Sequence, residues 1–357
     1  MKIRVVQVEL PLKHSFTIAR ESIQTQTSML VELEQDGVCG YGEVTENRFY
    51  GRTFESIRQS LQTIIPQLDL YRTQSPTQAW QPMQVALAQD PFALSALDMA
   101  AHDLRGKRLG VATWKDWGLQ WNAVPESSFT IGIDSVETMV AKLHEESGWN
   151  IYKIKLGTGN DLEIVTELRR HTDAVLRVDA NCGWSVEQTI KISKRLADLG
   201  VEFIEQPLPI TASEADKKAV FQHSALPLIA DEDCQTAADV VACSGMYHGI
   251  NIKLCKCGGL TVARQMLRQA RSLGLKTMIG CMVETSIGIS GAAQLLPLLD
   301  FADLDGANLL RDQPATGVTV DKGKVVLSNG FGCGGQIDHL RLNEFTVRDH
   351  VIEELSQ

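Results

Sequence analysis

The stretch Val201-Glu202-Phe203-Ile204-Glu205-Gln206-Pro207 (VEFIEQP) decides how the chain folds. Val201, Phe203 and Ile204 make an apolar, strand-forming run that delivers Glu205 and is stopped by Pro207. A carboxylate is seldom buried unless something compensates it, so a core-like strand ending on glutamate needs a reason. The reason is periodic. Short apolar or β-branched runs recur from about Ser128 onward as SSFTIGI, IYKIKLG, AVLRVDAN, VEFIEQP, PLIADED, GINIKLCK, KTMIGCMVE and DFADLD. Helical stretches such as SVEQTIKISKRLADLG and GGLTVARQMLRQARSLG separate them. Strand–helix alternation predicts parallel βαβ units. The polar residues that end the strands are 24 (Lys155 to Asp179), 26 (Asp179 to Glu205), 26 (Glu205 to Asp231) and 22 (Asp231 to Lys253) positions apart. A barrel of about 250 residues spends roughly 25 to 30 on each unit, so eight such runs predict a closed (β/α) barrel. All strand C-termini of a barrel converge on one face, which puts Glu205 at the mouth rather than in the core.

Residues two apart on a strand share a face, so Lys153 points with Lys155, Asp179 with Asn181, and Asp303 with Asp305. Asp179, Glu205 and Asp231 end three consecutive strands, flanked by lysines on the strands before and after. Any one of them alone reads as a solvated strand end. Three in register would repel without a cation or proton between them, and an oxygen-only ligand set suits Mg²⁺. By parity Lys253 faces this group, and Lys256, three positions on, is expected on the other face. Gly258-Gly259 reads as a turn or as a seat for an anion at the start of the next helix.

The N-terminal part reads differently. SMLVELEQDG and VCGYGEV alternate like strands around an Asp36-Gly37 hairpin signal, and ALSALDMAAHDLRGKRLG is helical up to Gly110. With 357 residues, 44% of them hydrophobic, the chain has material for a large domain and a smaller companion. A net charge of −10 and the absence of any Lys/Arg block argue against nucleic-acid binding. The eight cysteines, at 39, 182, 234, 243, 255, 257, 281 and 333, are dispersed and read as reduced thiols of a cytoplasmic protein. MKIRVVQVELPLK lacks an apolar signal core, and Gly288 to Leu299 is too short and too broken to span a bilayer. No membrane partner is expected.

The ordered motifs KIK, VDAN, FIEQP, ADED and NIKLCKCGG resemble the enolase superfamily, specifically its muconate-lactonizing-enzyme subgroup, over nearly the whole chain. The resemblance implies an α/β fold: a (β/α)₇β modified TIM barrel at 125–308, with an α+β capping domain. The cap would be built from residues 1–120 and a C-terminal segment, 309–357, returning to it. It implies one Mg²⁺ per subunit on Asp179, Glu205 and Asp231, with Lys155 and Lys253 as the acid/base pair. Lys153 would help to hold the substrate carboxylate and keep its neighbour's pKa low.

FADLDGANLL resembles the Asp-x-Asp signature of dipeptide epimerases, in which Asp303 and Asp305 would grip the substrate's free α-ammonium group. Thr130 and Met282 match positions that touch substrate. PLKHSFTIARES resembles the loop whose arginine, here Arg20, pairs with the glutamate side chain of L-Ala-D/L-Glu; Arg48 and Arg52 are the other candidates. In VTENRFYGR, however, Glu46 would disfavour an acidic side chain, and Phe49 and Tyr50 would favour an apolar one. The expected activity is epimerisation of a small dipeptide, L-Ala-L/D-Glu in the first instance. The alternatives are hydrophobic or other dipeptides, or N-acylamino acid racemase or o-succinylbenzoate synthase-like activity. Homo-oligomerisation is left open.

Overall fold

The computed structural model describes residues 1–352. Two sheets organise it. Four antiparallel strands, in the order β16-β1-β2-β3, form the first: β1 (Lys2–Ile18), β2 (Glu21–Gln35), β3 (Val38–Thr45) and β16 (Thr346–Ile352). Gln35 pairs with Val38, leaving Asp36-Gly37 as a two-residue turn with φ of 54° and 81° at the two positions. Positive φ at both positions is the turn whose twist matches a hairpin, as the sequence predicted.

The alternate glycines of VCGYGEV have a packing cause. The helix Pro91–Leu109 lies on β3 so closely that a Cβ on Gly42 would fall 2.0 Å from the Ala96 carbonyl oxygen, and one on Gly40 2.2 Å from that of Ala100. The helix is capped by Asp90, whose side chain accepts from the Ala93 N–H at 3.1 Å, starts on Pro91, and stops at left-handed Gly110.

Eight parallel strands make the second sheet: β4 (Phe129–Ile131), β5 (Ile151–Lys155), β6 (Val175–Asp179), β7 (Val201–Glu205), β8 (Leu228–Ala230), β9 (Gly249–Ile252), β10 (Lys276–Gly280) and β11 (Phe301–Asp303). They neighbour one another in sequence order. The ring closes where Ser128 donates its N–H to the Ala302 carbonyl at 3.2 Å. Every one of the eight runs read from the sequence forms one of these strands. Inside the lower barrel Phe203, Ile229 and Met278 pack together with Phe301. The buried Arg177 guanidinium sits about 5 Å from the Phe203 and Phe301 rings and donates to the Ala302 carbonyl at 3.1 Å. The outward residues of the same strands, such as Ile204 and Leu228, join the main core.

After the barrel come two short ladders, β12 (Ala315–Thr316) with β15 (Gln336–Ile337) and β13 (Thr319–Asp321) with β14 (Lys324–Val326). A helix (His339–Phe345) then leads into β16, which pairs with β1 from Ile3↔Ile352. The C-terminal segment expected at 309–357 ends past the described residues, and positions 353–357 lie outside them.

Carboxylates join the N-terminal layer to the barrel. Buried Glu43 of β3 accepts from the N–H groups of Thr285 (2.9 Å) and Gly288 (2.9 Å) at the start of the helix Ser286–Ala293, and from Ser28 Oγ (2.7 Å). Asp98 accepts from Thr261 N (2.8 Å) and Oγ1 (2.8 Å) at the start of the helix Leu260–Ser272. Gly258-Gly259 therefore seats a carboxyl group of the protein itself: a Cβ on Gly259 would lie 2.7 Å from Asp98 Oδ2. All eight cysteines are free. Among the described residues no helix is long and apolar enough to cross a membrane.

Candidate active site

A cleft of about 730 Å³ opens between the barrel mouth, the β1–β2 hairpin tip and the loop 46–53. Its wall contains Thr130, Lys153, Lys155, Lys253, Met282, Asp303, Asp305 and Arg20, so these sequence-selected side chains converge. Arg48, Arg52, Glu46 and Tyr50 line the capping side.

Each strand supplies its polar tip by the alternation read from the sequence. On β7, Phe203 and Glu205 point inward, and Glu205 stands above the phenyl ring that fills the lower barrel. The mouth location is right, yet Glu205 has 0% exposure, which differs from an open rim position. It is tolerated because Lys153 Nζ lies 2.7 Å from Oε2 and Asn251 Nδ2 donates to Oε1 at 2.7 Å. Lys153 also contacts Asp303 Oδ2 at 2.8 Å and Asp179 Oδ2 at 3.4 Å. Lys155 Nζ is 2.7 Å from Asp179 Oδ2, and Lys253 Nζ is 2.9 Å from Asp231 Oδ2.

Lys256 departs from expectation. Its Nζ donates to the Asp231 carbonyl at 2.5 Å and also to Asp231 Oδ1. Strand parity does not extend this far: β9 ends at Ile252, and Leu254–Cys257 is a helical turn. A step of three along a helix returns to the same side. Asn251, two positions before Lys253, shares its face by strand parity and joins the same cluster through Glu205.

Oxygens of Asp179, Glu205 and Asp231 all lie within 4.8 Å of one another, at 0%, 0% and 1% exposure. Burial, with the neighbouring Asp179 charge, pushes the Glu205 carboxyl up to about 7. Burial acts likewise on Asp231, but Lys253 and Lys256 outweigh it and hold that carboxyl well below the usual range. A crowded set of oxygen donors, one of which holds its charge only at a cost, fits a hard divalent cation. Burial opposes the charges of Lys153 and Lys253, yet Asp303, Glu205 and Asp179 on the first, and Asp231 on the second, raise both pKa values well above normal.

The β11 carboxylates lie beside this cluster, joined to it through Lys153. Asp305 accepts from the Thr130 N–H at 2.6 Å, and Asp303 Oδ1 accepts from Ser128 Oγ at 2.7 Å. Burial, then Asp303, lifts Asp305 to about 7. Burial is outweighed by Lys153 at Asp303, which falls to about 2. Arg20 reaches the rim from the hairpin tip, with Nη1 2.9 Å from Glu232 Oε1. Glu46 is engaged too, since its Oε1 accepts from the Phe54 N–H at 2.6 Å at the start of a helix.

A family model described as Enolase C-terminal domain-like matches residues 135–341, and one described as Mandelate racemase / muconate lactonizing enzyme, N-terminal domain, matches residues 1–118. An L-Ala-D/L-amino acid epimerase of Flavobacterium johnsoniae is 48% identical over 334 residues, covering 94% of this chain and 99% of that one. An L-Ala-D/L-Glu epimerase of Bacteroides thetaiotaomicron is 40% identical, over 94% of this chain and 87% of that one. The crystal structure of a dipeptide epimerase from Enterococcus faecalis, complexed with Mg and the dipeptide L-Leu-L-Tyr, superposes with a TM-score of 0.85. It is 30% identical and covers 94% of this chain and 98% of that one.

Proposed function

The chain belongs to the mandelate racemase / muconate lactonizing enzyme family of the enolase superfamily, and from that premise we propose that it is a Mg²⁺-dependent dipeptide epimerase. The observation that carries the reading is the ring of polar strand ends: two lysines on opposite sides of three clustered acids, beside a carboxylate pair suited to an ammonium group. β5 and β9 are four strands apart in an eight-stranded ring, so Lys155 and Lys253 approach the cleft from opposite sides. Relatives that act on dipeptides match over almost their whole length.

In this reading Asp179, Glu205 and Asp231 hold the cation. A Mg²⁺ ion held by these three carboxylates would supply Lewis-acid stabilisation of the negative charge that develops when the α-proton of the substrate's C-terminal residue is removed. Lys155 and Lys253 then address opposite faces of that carbon. One removes the proton, the other returns one, and the centre inverts. Asp231, 2.9 Å from Lys253 Nζ, fixes that amine at its side of the cleft. Lys153 draws together Asp179, Glu205 and Asp303 and fixes the acids in position. Asp303 and Asp305 take the α-ammonium group, an interaction an N-acylated substrate lacks. The finer assignment to L-Ala-L/D-Glu rests on Arg20 and is taken up below.

The test is uptake of solvent deuterium at the α-carbon of dipeptides incubated with Mg²⁺-loaded protein in D₂O, followed by mass spectrometry. Label should enter without net elimination. Lys155→Ala should lower epimerisation by about 10²–10⁴-fold, the contribution of a positioned base; retained turnover would remove Lys155 from the mechanism. Asp305→Asn separates free dipeptides from N-acylamino acids, because Asp305 is tied to Thr130 and not to Lys153. Free-amino substrates should lose affinity while an acylated one is unaffected.

A further inference from the structure

The tip of the β1–β2 hairpin is stitched to the barrel rim at several strands. Ile18 pairs with Glu21, which leaves Ala19-Arg20 as the turn. Thr17 accepts from the Ile133 N–H at 2.8 Å just beyond β4. The Ala19 methyl packs so tightly on Gly157, past β5, that a Cβ there would lie 2.9 Å from it. Arg20 then reaches across the mouth. Its Nη1 is 3.5 Å from the Asn181 carbonyl beyond β6 and 2.9 Å from Glu232 Oε1 beyond β8. Glu232 is 1% exposed, so this guanidinium is its counter-charge. The other face of the guanidinium is covered by Phe49, whose ring centre is 4.2 Å from Cζ. Phe49 meets Tyr50 edge-on at 4.9 Å, and Tyr50 meets Phe92 at 5.6 Å, so the loop 46–53 is held by the same group.

Topology says what lies beneath. Arg20 contacts the ends of β6 and β8, which flank β7, and β7 is four strands from β11 in the ring of eight. A dipeptide anchored by its ammonium group at Asp303 and Asp305 on β11 extends across the mouth, and its C-terminal residue arrives under Arg20. This step rests on the dipeptide reading given above.

We propose that Arg20 is a latch and not a receptor for a substrate carboxylate. It ties both capping loops to the rim, and because Glu232 balances its charge the guanidinium presents no unpaired cation to the C-terminal side chain. Uncharged side chains are therefore accepted at least as well as glutamate. Arg20 is a positioning residue for the closed cleft, and the Arg20–Glu232 pair sets side-chain selectivity.

The experiment measures kcat and KM for L-Ala-L-Glu, L-Ala-L-Gln and L-Ala-L-Leu with saturating Mg²⁺, on the full chain and on its Arg20→Met and Glu232→Gln variants. The parent should process the glutamine and leucine dipeptides with kcat/KM equal to or above that for glutamate. Arg20→Met should lower all three by a similar factor, mainly by raising KM. Glu232→Gln, which releases the guanidinium, should swing the glutamate-to-leucine ratio toward glutamate by about tenfold or more, the scale of one exposed-to-buried ion pair. A parent that prefers L-Ala-L-Glu by tenfold, with Arg20→Met losing that preference alone, overturns the proposal. A parent inert toward every dipeptide refutes the dipeptide reading instead. The latch is then judged by hydrogen exchange: Arg20→Met should accelerate exchange in both 15–24 and 46–53, and unchanged rates in the two loops overturn it.

Discussion

At Glu205 the whole protein is condensed into one side chain. Strand alternation aims it inward above Phe203, chain connectivity puts Asp179 and Asp231 beside it, and Lys153 with Asn251 offset its burial. Removing its charge should release electrostatic repulsion and weaken cation binding together. Glu205→Gln should therefore lower Mg²⁺ affinity on the order of 10–100-fold or more, measured by titration calorimetry; unchanged affinity would end the ligand assignment. The same scale shows what parity can and cannot do. It found Lys153, Lys155, Asp303 and Asp305, because each lies in or next to a regular strand. It failed at Lys256, where the backbone had already turned helical. Glu232 carried no signal at all, since its partner, Arg20, lies 212 positions earlier in the chain.

Between elements, the decisive contacts are carboxylates placed on helix N-termini. The junction of helix Pro91–Leu109 with helix Leu260–Ser272 holds Asp98, Thr261 and His102, whose Nε2 is 2.9 Å from Thr261 Oγ1. Burial pushes Asp98 up to about 7 and His102 down to about 3. Unfolded, the two groups titrate near about 4 and about 6.5. The signs oppose. Asp98, raised on folding, contributes stability below about pH 4 that is lost as pH rises through 7. His102, depressed on folding, contributes stability above about pH 6.5 that is lost as pH falls toward 3. Between roughly pH 4 and 6.5 the two slopes offset each other. His102→Gln leaves the Asp98 slope alone, so the variant should gain stability relative to the parent when pH is lowered from 7 to 5. Urea-denaturation midpoints at the two pH values check this, and parallel pH dependence in both proteins would refute it. Glu43 makes a second such junction. Glu43→Ala leaves the buried Thr285 and Gly288 N–H groups without their acceptor, at a cost of about 1–3 kcal/mol each, read as a lowered urea midpoint.

At the scale of the molecule, cation binding and folding are linked. The three acids come together only when β6, β7 and β8 are in register, so an ion that binds them stabilises the native state by mass action. Mg²⁺ at a hundredfold excess over its Kd should add about 2.7 kcal/mol and raise Tm by a few degrees. Asp179→Asn should abolish most of that shift, and an equal shift in the variant would place the ion elsewhere. This readout is independent of turnover.

Two periodicities were enough for the frame. A repeat of about 25 residues, ending each time on a polar tip, dictated eight parallel strands, and alternation within each strand dictated which side chains face the mouth. Both are local properties of a regular backbone, so they are written in the residues themselves. The tertiary structure alone decided how those tips are balanced. The 0% exposure of Glu205, the second lysine on Asp231, the carboxylates that dock the N-terminal layer, and the pairing of Arg20 with Glu232 all depend on elements distant in sequence. Electrostatic compensation is a matter of distance in space, and no spacing along a chain encodes it.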